Sequence, residues 1–157
     1  MSPSRLILIA GLVLAACQGS FFQPAVAAAT FPPLPAGLAR IYFYRDWEPY
    51  ESLSRPQIYL NGAPAAVSDP GGVSYRDVPP GEYHVSVDTQ GMYPHQFKDL
   101  TLRPGDIQYV KIESLSSWIA GGGRHHDAQR DTFVVELIPA QQAESEILDK
   151  RYVPGTP

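Results

Sequence analysis

Turn signals, set close together, constrain this chain more than any other feature. Asn61-Gly62 pairs two residues that accept positive φ, and Asp69-Pro70-Gly71-Gly72, Pro79-Pro80-Gly81-Glu82 and Arg103-Pro104-Gly105-Asp106 each join a proline that presets φ to a glycine that accepts positive φ. The first two intervals between them, 63–68 and 73–78, are too short for ordinary helices and suit strands. With 16 Pro and 13 Gly in 157 residues, long uninterrupted helical patterns have no room, and nine Tyr add β-favouring side chains.

Between the turns the apolar residues alternate. Arg40 to Arg45 reads as a strand with Ile41 and Phe43 on one face, and a polar, aromatic loop follows from Asp46 to Pro56. Gln57 to Leu60 runs into Asn61-Gly62, the strongest short hairpin signal, and on into Ala63 to Val67. Val73 to Val78 is a further strand. Tyr83 to Asp88 alternates cleanly, with Tyr83, Val85 and Val87 inward and His84, Ser86 and Asp88 outward. His95 to Leu102, Ile107 to Glu113 and Phe133 to Ile138 complete the strand set. Pro139 suits the start of a helix over Ala140 to Arg151, with Ala143, Ile147 and Leu148 toward one face. The expected fold is all-β: an antiparallel β-sandwich of seven or eight short strands with a short C-terminal helix.

The N-terminal segment has a different character. Arg5 precedes a short apolar run, Leu6 to Ala16, which falls below the roughly 20 residues needed to span a bilayer and reads as a signal peptide. Leu14-Ala15-Ala16-Cys17 resembles the lipobox of bacterial lipoproteins, in which the cysteine is acylated and becomes the new N-terminus. The resemblance implies lipid attachment at Cys17, the single cysteine, and hence a membrane partner reached through acyl chains. Gln18 after the cysteine is similar to the sorting pattern for the outer membrane, facing the periplasm. The alternative is cleavage after Ala25-Val26-Ala27, which leaves a soluble periplasmic or secreted protein. The organisation expected is a signal peptide over 1–16, a Pro/Ala-rich tether over 17–37, a β-sandwich domain over 38–152 and a disordered tail over 153–157.

The stretch Val78-Pro79-Pro80-Gly81-Glu82-Tyr83-His84-Val85 is similar to the turn motif of transthyretin-like, carboxypeptidase-regulatory-like and PEGA-type sandwiches. The wider pattern comprises the lipobox, the strand at Arg40, and Ile58-Tyr59-Leu60-Asn61-Gly62. The Pro-Pro-Gly turn follows, then Pro104-Gly105-Asp106 before Tyr109-Val110, and a last strand leading into an Ala/Glu-rich helix. Together these resemble the bacterial lipoproteins catalogued as domain of unknown function 2846. The resemblance spans residues 38 to 150 and implies an envelope lipoprotein with a β-sandwich; it carries no activity with it. The long connection from Ser114 to Asp131 fits that pattern least well.

A net charge of −4 gives no electrostatic footprint for nucleic acid, and one cysteine excludes an internal disulfide or a cysteine-based zinc cage. No nucleophile elbow, phosphate loop or tuned carboxylate pair is present, so no catalytic residue and no cofactor is expected. His125-His126-Asp127, after Gly121-Gly122-Gly123-Arg124, has metal-ligand chemistry, with Asp131 or His95 as further ligands. A glycine-rich loop, however, supplies none of the surrounding hydrogen bonds that fix ligands. Trp47, Tyr50 and Trp118 fall in loops, where large aromatics either plug one end of the sandwich or stack on a sugar or a protein partner. The expected function is a lipid-anchored, non-catalytic binding or assembly module of the cell envelope, with an envelope protein or a glycan as partner. Two alternatives are a metal-dependent hydrolase built on the His125-His126 loop and a purely structural envelope protein.

Overall fold

The computed structural model describes residues 30–47, 53–89, 95–114 and 132–154. Among the described residues, nine strands form two sheets. They are β1 (Ala39–Tyr44), β2 (Gln57–Leu60), β3 (Ala63–Val67), β4 (Gly72–Val78), β5 (Gly81–Val87), β6 (Phe97–Leu102), β7 (Ile107–Ser114), β8 (Phe133–Ile138) and β9 (Arg151–Tyr152), with one helix, α1 (Ala140–Ile147), before β9. The first sheet has the order β8-β7-β1-β4-β9 and the second β3-β2-β5-β6. The all-β, two-sheet architecture with its short C-terminal helix agrees with the sequence reading.

The turn residues do what their chemistry dictates. Asn61 (φ 51°) and Gly62 (φ 79°) both adopt positive φ, the condition for the type I′ turn whose twist matches a two-residue hairpin. Inward residues of both sheets, Ile41, Phe43, Ile58, Val85, Val110, Ile112, Phe133 and Val135 among them, make one buried core. Each fully buried aliphatic or aromatic side chain there contributes about 1.5–3 kcal/mol.

The two sheets are pinned along both sides. On one, the Val135 N–H donates to the His95 carbonyl at 2.7 Å, and Lys98 of edge strand β6 reaches Glu136 of edge strand β8 at 3.6 Å. On the other, Arg76 Nε donates to the Ala65 carbonyl at 2.7 Å. An inward-turned lysine on an edge strand also discourages pairing with a second chain.

Several details differ from the sequence reading. The first sheet is mixed: β1 pairs with β7 in parallel, because the chain builds the whole second sheet between them before returning, and β4 pairs with β9 in parallel. Strand β6 begins at Phe97, since His95 takes a left-handed turn conformation (φ 70°). The helix ends at Ile147 and leaves Leu148 67% exposed, and Arg151 belongs to a strand. Val153 is buried, and its N–H donates to the Val73 carbonyl at 2.8 Å, so the domain extends into the stretch assigned to a tail.

The segment assigned to the tether also contributes to the fold. Phe31 packs edge-on against Tyr42 (4.9 Å between ring centroids), Tyr75 (5.7 Å) and Tyr152 (5.8 Å). The Pro32 carbonyl accepts from Arg40 Nη1 at 2.6 Å. Arg40 is held in turn by a two-pronged contact to Asp77 (2.6 and 2.8 Å) and lies 4.2 Å from the Tyr75 ring centroid.

Candidate functional site

The outer faces of the two sheets are unlike. On the first, Tyr109, Tyr42 and Tyr75 stand side by side in register across β7, β1 and β4. The Tyr42 and Tyr109 rings stack at 5.2 Å. Phe31 covers part of this row and α1 covers more, setting Ala143 and Ile147 into the same apolar cluster as Tyr42, Tyr44 and Tyr109. This is why β1 is buried along its whole length.

An ion network locks the helix down. Lys111 Nζ contacts Asp46 (2.7 Å), Glu146 (3.1 Å) and Glu113 (3.3 Å), and Lys150 Nζ reaches Asp46 at 2.9 Å. The Tyr44 hydroxyl donates to Glu146 at 2.9 Å. Burial alone would raise the Asp46 carboxyl, but hydrogen bonds from Lys111 and Lys150 outweigh it and hold Asp46 below the usual carboxylate range. Glu146 is lowered in the same manner, with Gln142, Lys111 and Tyr44 donating against the cost of burial. Every charge here is spent on a neighbour, so the network is structural. A second cluster ties Arg55 and Arg151 to Asp69, joining three segments at the end of the first sheet.

The outer face of the second sheet is bare among the described residues. Alternation sends Tyr59 out from β2, Glu82, His84 and Ser86 out from β5, and Phe97, Asp99 and Thr101 out from β6. Register sets Tyr59 beside Ser86 and Ser86 beside Phe97, then His84 beside Asp99, then Glu82 beside Thr101. Phe97, at the start of edge strand β6, is 54% exposed, a large apolar side chain left in solvent.

His84 organises the centre of this face. Its Nδ1 lies 2.7 Å from Asp99 Oδ1 and its ring 4.9 Å from that of Phe97. Asn61, held left-handed by the hairpin turn, accepts the His84 backbone N–H at 2.7 Å and donates to the Glu82 carbonyl at 3.2 Å. The Tyr59 hydroxyl donates to Asp88 at 3.2 Å. Between these strands the surface dips into an open concavity of about 540 Å³, bordered by Asn61, Glu82, His84, Asp99 and Thr101. That volume is in the range of small-ligand sites, but the concavity is shallow and polar.

Residues 35–123 match the model of a family described as Protein of unknown function (DUF2846). The chain belongs to this family. The DUF2846 match runs from the turn before β1 through β7, so it takes in the hairpin, the Pro-Pro-Gly turn and the whole open face. It stops before β8, α1 and β9. No curated protein matches the chain.

The sequence-derived candidates fare unevenly. Trp47 is described and 62% exposed, so it does not plug the end of the sandwich; its Cβ lies against Gly71. Tyr50, Trp118, Cys17, His125, His126, Asp127 and Asp131 lie outside the described residues. His95 serves as a turn residue whose carbonyl holds β8. Among the described residues no group of three or more His, Cys, Asp and Glu side chains could hold a metal ion, and no helix is long and apolar enough to cross a membrane.

Sequence reasoning placed His84, Ser86 and Asp88 outward but missed Tyr59 and Phe97. The signal for Phe97 is its alternation with Leu100 and Leu102, which assigns it to the solvent side together with Asp99 and Thr101.

Proposed function

We propose that this protein is a lipid-anchored, non-catalytic binding module of the bacterial cell envelope, and that the open face of the second sheet is its recognition surface. The observation that carries this reading is the asymmetry of the sandwich. One outer face is sealed by a helix, an aromatic plug and an ion network, while the other leaves Tyr59 half-exposed and Phe97 exposed, beside a polar concavity bordered by His84 and Asp99. Aromatic side chains with polar neighbours are what interfaces favour, since they bury large area at small entropic cost.

The anchor complements this arrangement. Lipid on Cys17 would pull on the chain just before Phe31, which docks on the first sheet, so the load falls on the sealed side. Cleavage before Cys17 and acylation there would give an N-terminal peptide whose mass carries the acyl chains. Cys17→Ser should release the protein from the membrane fraction.

The binding reading is tested on the full chain extracted from envelopes in mild detergent. On native gels it should migrate as a complex that Tyr59→Ser/Phe97→Ser dissolves and Trp47→Ser leaves intact. A complex indifferent to the double variant, with the domain still folded by circular dichroism, would put recognition elsewhere.

A further inference from the structure

The open face carries charge of one sign. Its outward carboxylates, Glu82, Asp88 and Asp99, are exposed, and its outward strand positions hold no lysine or arginine. The nearest cation in β6, Lys98, turns the other way to Glu136, and Arg103 lies beyond the strand in the following turn. We infer that the face recognises a cationic side chain, arginine or lysine, on a partner protein, seated in the concavity between Glu82 and Asp99 with its stem against Phe97. This deepens the binding reading above and rests on it.

The register supplies the geometry. Glu82 pairs with Thr101 and His84 with Asp99, so Glu82 and Asp99 are diagonal neighbours on adjacent strands, their Cβ atoms about 7 Å apart, with the second oxygen of Asp99 left over from its contact with His84. A guanidinium has five N–H donors and can serve both at once. Phe97, exposed and tilted against the His84 ring, gives the methylene stem an apolar wall and the cation a π-face.

Asn61 is not free to take part. Its amide oxygen and nitrogen are committed to His84 and Glu82, which makes it a fixed border. A neutral glycan is the poorer fit, because its hydroxyls need donors as well as acceptors. Carboxylates only accept, leaving Thr101, Ser86 and the imidazole to donate. Exposed charge pairs are individually weak and screened by salt, so the contact should be salt-sensitive and reinforced by Phe97.

The test uses the isotope-labelled full chain in detergent micelles and three probes: a short Ala/Arg peptide, the same peptide with citrulline for arginine, and a neutral N-acetylglucosamine oligomer. The arginine peptide should shift the amide signals of His84, Phe97 and Asp99. Citrulline, which keeps the shape without the charge, should bind about tenfold more weakly, as should the Glu82→Gln/Asp88→Asn/Asp99→Asn variant. Raising salt to about 0.3 M should weaken the arginine peptide alone.

Equal binding of the citrulline peptide, or no loss in the triple variant, overturns the inference. Shifts of these residues by the oligomer and not by the arginine peptide would also overturn it, while leaving the face a recognition surface. If no probe moves them, the cation assignment fails, and the native-gel comparison decides the binding reading separately.

Discussion

Gly72 shows how much one residue can fix in this domain. A Cβ built there would lie 2.9 Å from the Asp69 carbonyl oxygen and 2.9 Å from Val153 Cγ2, so the turn and the C-terminal segment both crowd it. Gly72→Ala should therefore destabilise by about 1–3 kcal/mol through overpacking, read as a lower urea midpoint at unchanged slope. Gly62→Ala would instead place a Cβ in open space and cost only the strain of its positive φ. The sequence marks both residues as turn glycines; the packing around Gly72 is invisible in it, because Val153 approaches from the far end of the chain. The same limit applies to the candidate site. His84 is legible as an outward residue from its own strand, and Phe97 from alternation with Leu100. The cross-strand register that sets one ring against the other depends on how segment 88–96 joins the two strands, which alternation within each strand does not specify.

At the scale of elements, α1 is held by charge as well as by Ala143 and Ile147. Asp46 and Glu146 have lowered pKa values in the fold, so their contribution is present above the unfolded carboxylate range and is lost as pH falls through the folded values. Lys111 and Lys150 are raised, as is Tyr44, and Tyr109 is pushed up to about 12 by burial and the Glu144 carboxylate. Their contribution is complete below the unfolded values of about 10 and fades as pH rises beyond them. Urea midpoints should thus form a plateau with an acid limb below about pH 5 and an alkaline limb above about pH 10. Asp46→Asn should flatten the acid limb and cost about 1–3 kcal/mol at neutral pH, because two lysines lose their shared partner. A midpoint in Asp46→Asn that tracks wild type across this range would show the network to be incidental. Strand existence is well marked in the sequence, since turns and alternation are local signals. The parallel β1·β7 pairing, the two-residue β9 and this network are not, because each joins residues far apart along the chain.

The molecule as a whole is a sandwich with one outer face closed and the other open, and the open face is the proposed recognition surface. The closed face takes Phe31 of the N-terminal segment, together with the helix and the tyrosine row. The open face is set by the sheet order, which keeps β2, β5 and β6 adjacent and leaves them uncovered by any described residue. The DUF2846 match includes this face and ends before the helix. The most direct measurement is site-specific photocrosslinking in intact cells, with a benzophenone side chain at Phe97 on the open face or at Leu148 beside the helix. Both positions are exposed, at 54% and 67%, so accessibility alone does not separate them. Discrete adducts from Phe97 and none from Leu148 are the predicted result. Adducts from Leu148 alone, or none from Phe97, would contradict the account.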